Sequence, residues 1–169
     1  MDAGEGLDDV AQEEVVRGER RDSPQDPAFE SRVRASFDRQ SFMKLLGAHL
    51  TRVEPGAVDI EIAKRDDLVQ QHGFVHAGVL ASIADSACGY SALTLMPAGS
   101  AVLSIEFKIN LLSPGAGARF VARGRVIRPG KTITVTWGEV VAITGDDGEK
   151  VVATMVATMM TVQNRGMVD

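Results

Sequence analysis

A single long helical segment among short alternating stretches most strongly constrains how this chain can fold. Residues 76–96 read HAGVLASIADSACGYSALTLM, lack the period-two alternation of a strand, and are bounded by turn-forming residues. On a helical wheel, one side of this segment is apolar and another consists almost wholly of small residues, from Ala81 to Ala92. Such a face is expected where a helix backbone packs closely against a sheet or a partner chain. We therefore predict one long helix over this segment.

The remaining apolar pattern alternates with period two, as in strands with one buried face. Turn signals such as Pro55-Gly56 and Pro129-Gly130 separate these runs, and the latter pair suits the centre of a type II turn. The five runs are residues 58–62, 103–110, 120–127, 133–143 and 151–162. Short links between the last four favour antiparallel pairing, because parallel strands need long crossovers. The pattern predicts an α+β layer fold with a long helix on an antiparallel sheet of five or six strands.

The N-terminal part of the chain divides into two segments. Residues 1–27 hold nine acidic and three basic residues and no aromatic residue, so we predict a disordered or loosely attached tail, although a recognition role stays open. Apolar residues from Phe29 to Leu46 recur at spacings of three to five, which predicts an additional amphipathic helix bent near Ser41. For a chain of 169 residues, this leaves one domain, residues 28–169.

Composition argues against several classes of protein. The net charge of −5 argues against a nucleic-acid partner, because proteins that bind the phosphate backbone carry a basic surface. The sequence has no apolar run of the ~18 residues that a membrane-spanning helix needs. Its first thirty residues contain no signal-peptide core, and its single cysteine, Cys88, fits a reducing compartment. We therefore expect a cytoplasmic protein without a membrane partner.

Asp85 is the first candidate for chemistry. It is the only acidic residue between Asp67 and Glu106, and it lies within the otherwise apolar, small-residue helix. A carboxylate in such surroundings is costly unless it is paired or hydrogen-bonded. It is therefore either a structural group bonded to the backbone or an arginine, or a catalytic base or nucleophile beside a cleft.

The start of the same helix is the second candidate. Gly73 and Gly78 bracket a tight turn, and the unpaired amides of the first helical turn, near Ala77 and Gly78, could bind developing negative charge. Every helix has such a start. The value of this one comes from its position eight residues before Asp85.

Other motifs are weaker. His72 and His76 have the i, i+4 spacing of a metal-binding pair, but Gly73 and the strand-like residues after it argue against a helix there, so we expect no metal. Cys88 has no histidine near it in sequence and is expected to be a buried apolar residue. A basic cluster around one turn is either a solvated face or a phosphate-binding rim; it comprises Arg123, Arg125, Arg128 and Lys131.

The segment HAGVLASIAD resembles the HGG-(x)6-D signature of hotdog-fold acyl-CoA thioesterases, particularly the phenylacetate-pathway (PaaI-like) group. The flanks agree, with an amide residue six positions before His76 and a strand ending in Ser-Pro 28 residues after Asp85. The resemblance spans about residues 45–162. It implies a long central helix wrapped by a curved antiparallel sheet, homodimers whose sheets join, often paired into tetramers, and active sites between subunits. The implied substrate is an acyl-CoA or aryl-CoA, with no further cofactor.

The resemblance also implies roles for individual residues. Asp85 matches the catalytic base or nucleophile, and Ala77 takes the position of the middle glycine, whose N–H polarises the thioester carbonyl. Gln70, preferred to Gln71 by spacing, matches the assisting amide. Ser104 matches a hydroxyl that holds the attacking water, although it could equally be an ordinary solvent-facing strand residue. The implied substrate-binding residues are His76, which fixes the turn, Gly78, and Arg128 and Lys131, which meet the coenzyme A phosphates.

One departure and two alternatives remain. Alanine instead of glycine at position 77 keeps the N–H donor but would be strained if the backbone there required a positive φ. A non-catalytic acyl-CoA or acyl-carrier binding module would keep the pocket without needing Asp85. An enoyl-CoA hydratase on the same fold would need an Asp/His pair, and His76 lies too near the helix start for that role.

Overall fold

Apart from the first strand, the helices and strands follow the order that the sequence pattern predicts. The structure, a computed structural model, describes residues 23–145, 148–163 and 166–167. Its elements are helices α1 (Phe29–Arg39) and α2 (Ser41–Leu46), strands β1 (His49–Glu54) and β2 (Ala57–Ala63), a 3-10 turn (Asp66–Leu68), helix α3 (Ala77–Leu93), and strands β3 (Ala101–Leu111), β4 (Arg119–Arg128), β5 (Ile133–Thr144) and β6 (Gly148–Val162). No helix in these ranges has both the length and the apolar character needed to cross a membrane.

The six strands form one antiparallel sheet in the order β1-β2-β4-β5-β6-β3. This confirms the predicted helix-on-sheet architecture, but the sequence pattern does not identify β1. Four of the six β1 residues are exposed, so this edge strand lacks a buried apolar face to mark it. The structure also separates β3 from β4. Strand β3 lies at the edge opposite β1, where it pairs with β6, and residues 112–118 carry the chain from that edge to β4, between β2 and β5.

Helix α3 packs directly on the sheet backbone. A Cβ atom at Gly124 of β4 would lie 2.2 Å from the Ala87 carbonyl oxygen, and one at Gly138 of β5 would lie 2.8 Å from the Cys88 sulfur. Atoms this close leave no room for side chains, so the small residues of the helix face glycines of the sheet. This contact fixes the distance between α3 and the strands. It is made by Ala87 and Cys88 and not by the small-residue side of the helical wheel, which comprises Ala81, Ser82, Asp85, Gly89 and Ala92.

A β-bulge in β3 changes which residues face the helix. The register with β6 shifts between Ser104, which opposes Met159, and Glu106, which opposes Thr158. Because opposed residues share a face, the extra residue Ile105 places Ser104 and Phe107 on the same, helix-facing side. The uninterrupted alternation expected from residues 103–110 is therefore wrong at this point.

The turn at Pro129-Gly130 differs from the type II turn that the sequence predicts. Gly130 is not among the glycines with positive φ, so the Pro129-Gly130 turn is not of type II, which requires positive φ at its second central residue. Instead, a Cβ atom at Gly130 would lie 2.0 Å from the Ile133 carbonyl oxygen. The glycine is needed here for close backbone approach.

The N-terminal helices pack against the rest of the domain. The predicted helix is interrupted at Gln40, one residue before the expected bend, which separates α1 from α2. Val33 and Phe37 of α1 are buried. Residues 1–22 of the expected tail lie outside the described residues. Its last part is corrected by the structure, because Asp26 is 6% exposed and lies 3.3 Å from Arg32, so residues 23–27 belong with the folded domain.

Arg32 of α1 binds the end of α3. Its guanidinium donates to the carbonyl oxygens of Pro97 (2.6 Å), Leu93 (2.9 Å) and Met96 (2.9 Å). The last carbonyls of a helix lack intrahelical donors, and a cation there also interacts favourably with the helix dipole. The carboxylate of Asp26 neutralises this nearly buried cation. Arg32 therefore anchors the N-terminal helices to the central helix.

We expect Arg32→Met to lower the free energy of unfolding by about 3 kcal/mol, because it strips three carbonyls and a buried carboxylate of their partner. For a chain of this size, that corresponds to a fall in Tm of roughly 6–12 °C in thermal unfolding. The control is Arg34→Met, which removes an exposed i, i+4 pair with Glu30 and should change stability by less than about 1 kcal/mol. Equal effects of the two substitutions would contradict the anchoring role.

Candidate active site

Asp85 and Ser104 meet between α3 and β3. The Ser104 hydroxyl donates a 2.6 Å hydrogen bond to Asp85 Oδ1 and lies 3.4 Å from the Met159 sulfur. The Asp85 side chain is half-buried, whereas Ser104 is exposed. The bulge at Ile105 produces this pair by turning Ser104 toward the helix. Ser104 is thus solvent-exposed, as one of the two readings of the sequence expects, but its hydroxyl is bound to Asp85.

Two opposing effects act on the pKa of Asp85. Burial raises the pKa of Asp85 above its ordinary value, and the hydrogen bond from Ser104 acts in the opposite direction. In the described part of the chain, no lysine or arginine forms an ion pair with it. A desolvated carboxylate without a counter-ion is a stronger base than one in water, as a general base or nucleophile requires.

The start of α3 presents one free amide. His76 is the N-cap, and its Nδ1 accepts a 2.9 Å hydrogen bond from the Gly78 N–H. The Gly78 amide is therefore already occupied. Among the described residues, the Ala77 N–H has no acceptor. Ala77 is the first residue of the α-helix, so its φ is negative and alanine is unstrained at this position.

Gln70 lies beside this amide, in the turn before the helix. Its backbone N–H donates to the Phe74 carbonyl, and its side-chain oxygen accepts a hydrogen bond from the His72 N–H. With its oxygen engaged, the side chain has its NH₂ group left to donate. Gln71 is more exposed, and its Nε2 lies 3.4 Å from His72 Nε2. The turn geometry thus gives Gln70 a fixed orientation that Gln71 lacks.

Two separate cavities correspond to these two groups. A cavity of about 600 Å³ is lined by Gln70, His76, Ala77, the end of β3 and the Ser113–Gly115 segment. A smaller one of about 110 Å³ adjoins Asp85 and Ser104. Ala77 and Asp85 are eight residues apart on one helix, which corresponds to ~12 Å along its axis. A single chain therefore does not bring the free amide and the carboxylate to one reacting atom.

The basic cluster divides into two parts. Arg123 is bound to Glu149 (2.7 Å) and Arg125 to Asp59 (2.6 Å), so both are neutralised on the sheet. Arg128 and Lys131 are exposed and have no ion-pair partner within the described residues. They lie at the same end of the sheet as Ser104, two to three strand spacings or roughly 10–14 Å away.

Other candidate chemistry finds no geometric support. In the described ranges, no three His, Cys, Asp or Glu side chains come together as a metal site. His72 lies in the turn before α3 rather than on a helix with His76. Cys88 is fully buried, and desolvation raises the pKa of its thiol to about 12, so the thiol stays protonated.

The structure adds residues that the sequence analysis did not single out. Gln40, Ser86 and Tyr90 line the cavity beside Asp85, together with Gly89 and Val102. Gln40 comes from the break between α1 and α2, 45 residues before Asp85, and no local sequence pattern links the two. Only the packing of α1 on the long helix brings them together.

Comparison with known proteins identifies the family. The thioesterase superfamily profile matches residues 72–149. A thioesterase family protein from Silicibacter pomeroyi is 43% identical, with 80% of this chain and 99% of that chain covered and a TM-score of 0.79. The PaaI protein of the phenylacetic acid degradation operon of E. coli is 21% identical over 80% of this chain and 94% of its own, with a TM-score of 0.71, and shares the fold.

A curated relative from Saccharolobus solfataricus, named "Putative esterase SSO2140", is 33% identical over 92 residues, or 54% of this chain. The match spans 65% of the length of that relative. The coverage and identity of the Silicibacter pomeroyi protein, together with the profile match and the fold shared with PaaI, lead to one conclusion. The chain has a hotdog fold and belongs to the thioesterase superfamily.

Proposed function

We propose that this protein hydrolyses acyl-CoA thioesters to the free acid and coenzyme A. The observation that carries the proposal is the half-buried Asp85 carboxylate, held by Ser104 and set on the helix whose first amide is free. The family membership supports thioester chemistry, and the reaction needs no cofactor beyond the coenzyme A in the substrate.

The proposed reaction follows from these groups. In the general-base route, Asp85 takes a proton from water, the hydroxide adds to the thioester carbonyl, and the Ala77 N–H stabilises the oxyanion. Collapse of the intermediate breaks the C–S bond, and the departing thiolate receives the proton. In the nucleophilic route, Asp85 attacks the carbonyl, the C–S bond breaks, and the coenzyme A thiolate leaves as an anhydride forms. Water then hydrolyses the anhydride to the free acid and the Asp85 carboxylate, and the proton it releases neutralises the thiolate. Ser104 orients the carboxylate or the water in both routes, and the Gln70 amide assists at the carbonyl.

The distance between the two groups supports an active site shared by two subunits. Because Ala77 and Asp85 of one chain are ~12 Å apart along the helix, a carbonyl in contact with both needs Ala77 of the partner subunit. Strand β3 supplies the contact surface, since it is a sheet edge with exposed apolar residues, among them Ile105 (52%) and Phe107 (45%). A long apolar edge pairs readily with another strand, and a two-fold axis would join the two sheets.

The remaining surface supports two further parts of the proposal. Arg128 and Lys131 are exposed, form no ion pair with any residue that the structure describes, and suit the phosphates of coenzyme A. The outer face of the sheet carries half-exposed apolar side chains at Ile133, Trp137 and Val156, which would be covered if two dimers pair as a tetramer. Both arrangements are those expected from the family resemblance.

The hydratase alternative needs a histidine free to exchange protons. His76 Nδ1 is instead the acceptor of the helix cap, and His76 is the N-terminal neighbour of the helix rather than a partner of Asp85. A binding module would have no use for a desolvated carboxylate, which costs stability unless it is needed for chemistry. Hydrolysis is the function that uses both groups.

We expect Asp85→Asn to lower kcat by roughly 10²–10⁴ in a thiol-release assay, because the base or nucleophile is lost. The Tm should stay the same or rise, because burial raises the pKa of Asp85 and so disfavours its charged form in the folded state. Asp38→Asn on the exposed surface of α1 is the control and should leave both values unchanged. Wild-type turnover by Asp85→Asn would refute the assignment.

Ala77→Pro removes the proposed oxyanion donor while keeping the helix, because proline is tolerated at the first helical position and His76 has the extended backbone that proline requires before it. We expect kcat to fall by about 10²–10³ with little change in Tm.

A mixture of the two inactive variants tests the shared site. A heterodimer of Asp85→Asn and Ala77→Pro contains one site with both groups intact, so refolded equal mixtures should recover about a quarter of wild-type activity if subunits pair at random. No recovery in mixtures shown to contain heterodimers would place both groups of each site in one chain.

The pH dependence should report the Ser104–Asp85 bond. Activity requires the ionised carboxylate, so kcat/KM falls as pH drops through the raised pKa of Asp85. Ser104→Ala removes the interaction that lowers this pKa, so the acid limb of the profile should move to higher pH. Ser31→Ala, at an exposed hydroxyl on α1, should leave the limb in place. An unshifted limb in Ser104→Ala would show that the hydrogen bond does not control Asp85.

A further inference from the structure

The small cavity beside Asp85 has a defined shape. Its rim holds the exposed Ser104 and the half-buried Asp85, so it opens next to the proposed reacting groups. Its deeper part is formed by Gly89 and Tyr90, both of which are buried. Its volume is about 110 Å³, whereas the cavity at the helix start has about 600 Å³.

Gly89 leaves the deep end of this cavity open. Among the described residues, a Cβ atom at Gly89 would have only Val102 Cγ1 within 4 Å, at 4.0 Å, so none of their side chains fills the place of the missing one. This differs from Gly124 and Gly138, whose missing side chains are required by close helix–sheet contact. The glycine at position 89 is therefore not demanded by packing.

The far wall of the cavity is fixed by the N-terminal helices. The ring of Tyr90 packs edge-on against Phe37 of α1 at a centroid distance of 5.7 Å, and its hydroxyl lies 3.4 Å from that of Ser36. Gln40 closes another side, where its Oε1 accepts a long, 3.5 Å hydrogen bond from Ser86. The wall therefore cannot retreat without moving α1, which Arg32 holds to the end of α3.

We propose that this cavity receives the acyl chain of the substrate and restricts the enzyme to short acyl groups, up to about five carbons including the carbonyl. This inference rests on the proposed function. At about 30 Å³ for a water-sized group, 110 Å³ holds about three to four chain carbons beyond the carbonyl. A benzene ring occupies a dry protein cavity of about 150 Å³, so an aromatic acyl group is too large.

The test is thiol release from acetyl-, butyryl-, octanoyl- and phenylacetyl-CoA. For the wild type, kcat/KM with butyryl-CoA should exceed that with octanoyl- and phenylacetyl-CoA by at least about tenfold, in the range by which pocket size discriminates between acyl groups. In Gly89→Ala, a methyl group fills the deep end, so the value for butyryl-CoA should fall about tenfold while that for acetyl-CoA changes less than about threefold. The Tm should not fall, because alanine is favoured over glycine in a helix.

Gln40→Ala tests the opposite change. Removing this wall should raise kcat/KM for octanoyl-CoA relative to butyryl-CoA by at least about fivefold, on the scale by which a few methylene groups are discriminated. Gln163→Ala is the matched control, because Gln163 is exposed at the end of β6 and does not line the cavity. It should leave the chain-length profile unchanged.

The outcomes separate this inference from the proposed function. If no acyl-CoA in the panel releases thiol, both fail. If octanoyl- or phenylacetyl-CoA is hydrolysed as well as butyryl-CoA, or if Gly89→Ala lowers all substrates equally, the protein is a thioesterase whose acyl chain binds elsewhere. In that case only the assignment of this cavity is overturned.

Discussion

The close contact between the α3 backbone and the sheet determines the position of the two groups that α3 supplies to the candidate site. At Ala87 and Gly124 the two layers approach so closely that even one Cβ atom would lie 2.2 Å from a carbonyl oxygen. This contact requires small residues on the helix, and it fixes the height at which Asp85 and the helix start lie above the strands. A side chain large enough to separate the layers would displace both groups together, since they belong to one rigid helix.

Asp85 shows how the fold accommodates a carboxylate that packing alone would exclude. Burial disfavours its charged form, and the Ser104 hydroxyl partly offsets that effect at 2.6 Å. The offset exists only because the bulge at Ile105 turns Ser104 inward. A local irregularity in an edge strand thus tunes the basicity of a group on a different element.

Different segments of the chain supply different parts of the candidate site. The helix start supplies an amide, the middle of the helix supplies the carboxylate, and the N-terminal helices close the cavity beside it at Gln40. Because one helix holds the amide and the carboxylate ~12 Å apart, the proposed chemistry couples catalysis to association of two chains. The N-terminal helices add no proposed reacting group, so their contribution to the site is the size of the space beside Asp85.

The sequence by itself determined the long helix, five of the six strands and the two groups on α3, because periodicity, helix starts and an isolated charge are local properties of the chain. Tertiary structure alone decided the pairing of β3 with β6, the inward direction of Ser104, the burial of Asp26 and the presence of Gln40 beside Asp85. The direction of Ser104 depends on a one-residue shift in register, and Gln40 meets Asp85 across 45 positions of the chain. Asp26 is buried beside Arg32, whose guanidinium binds the end of α3 about 60 residues later. Such contacts depend on how whole helices and strands pack against one another, and local sequence patterns do not predict that packing.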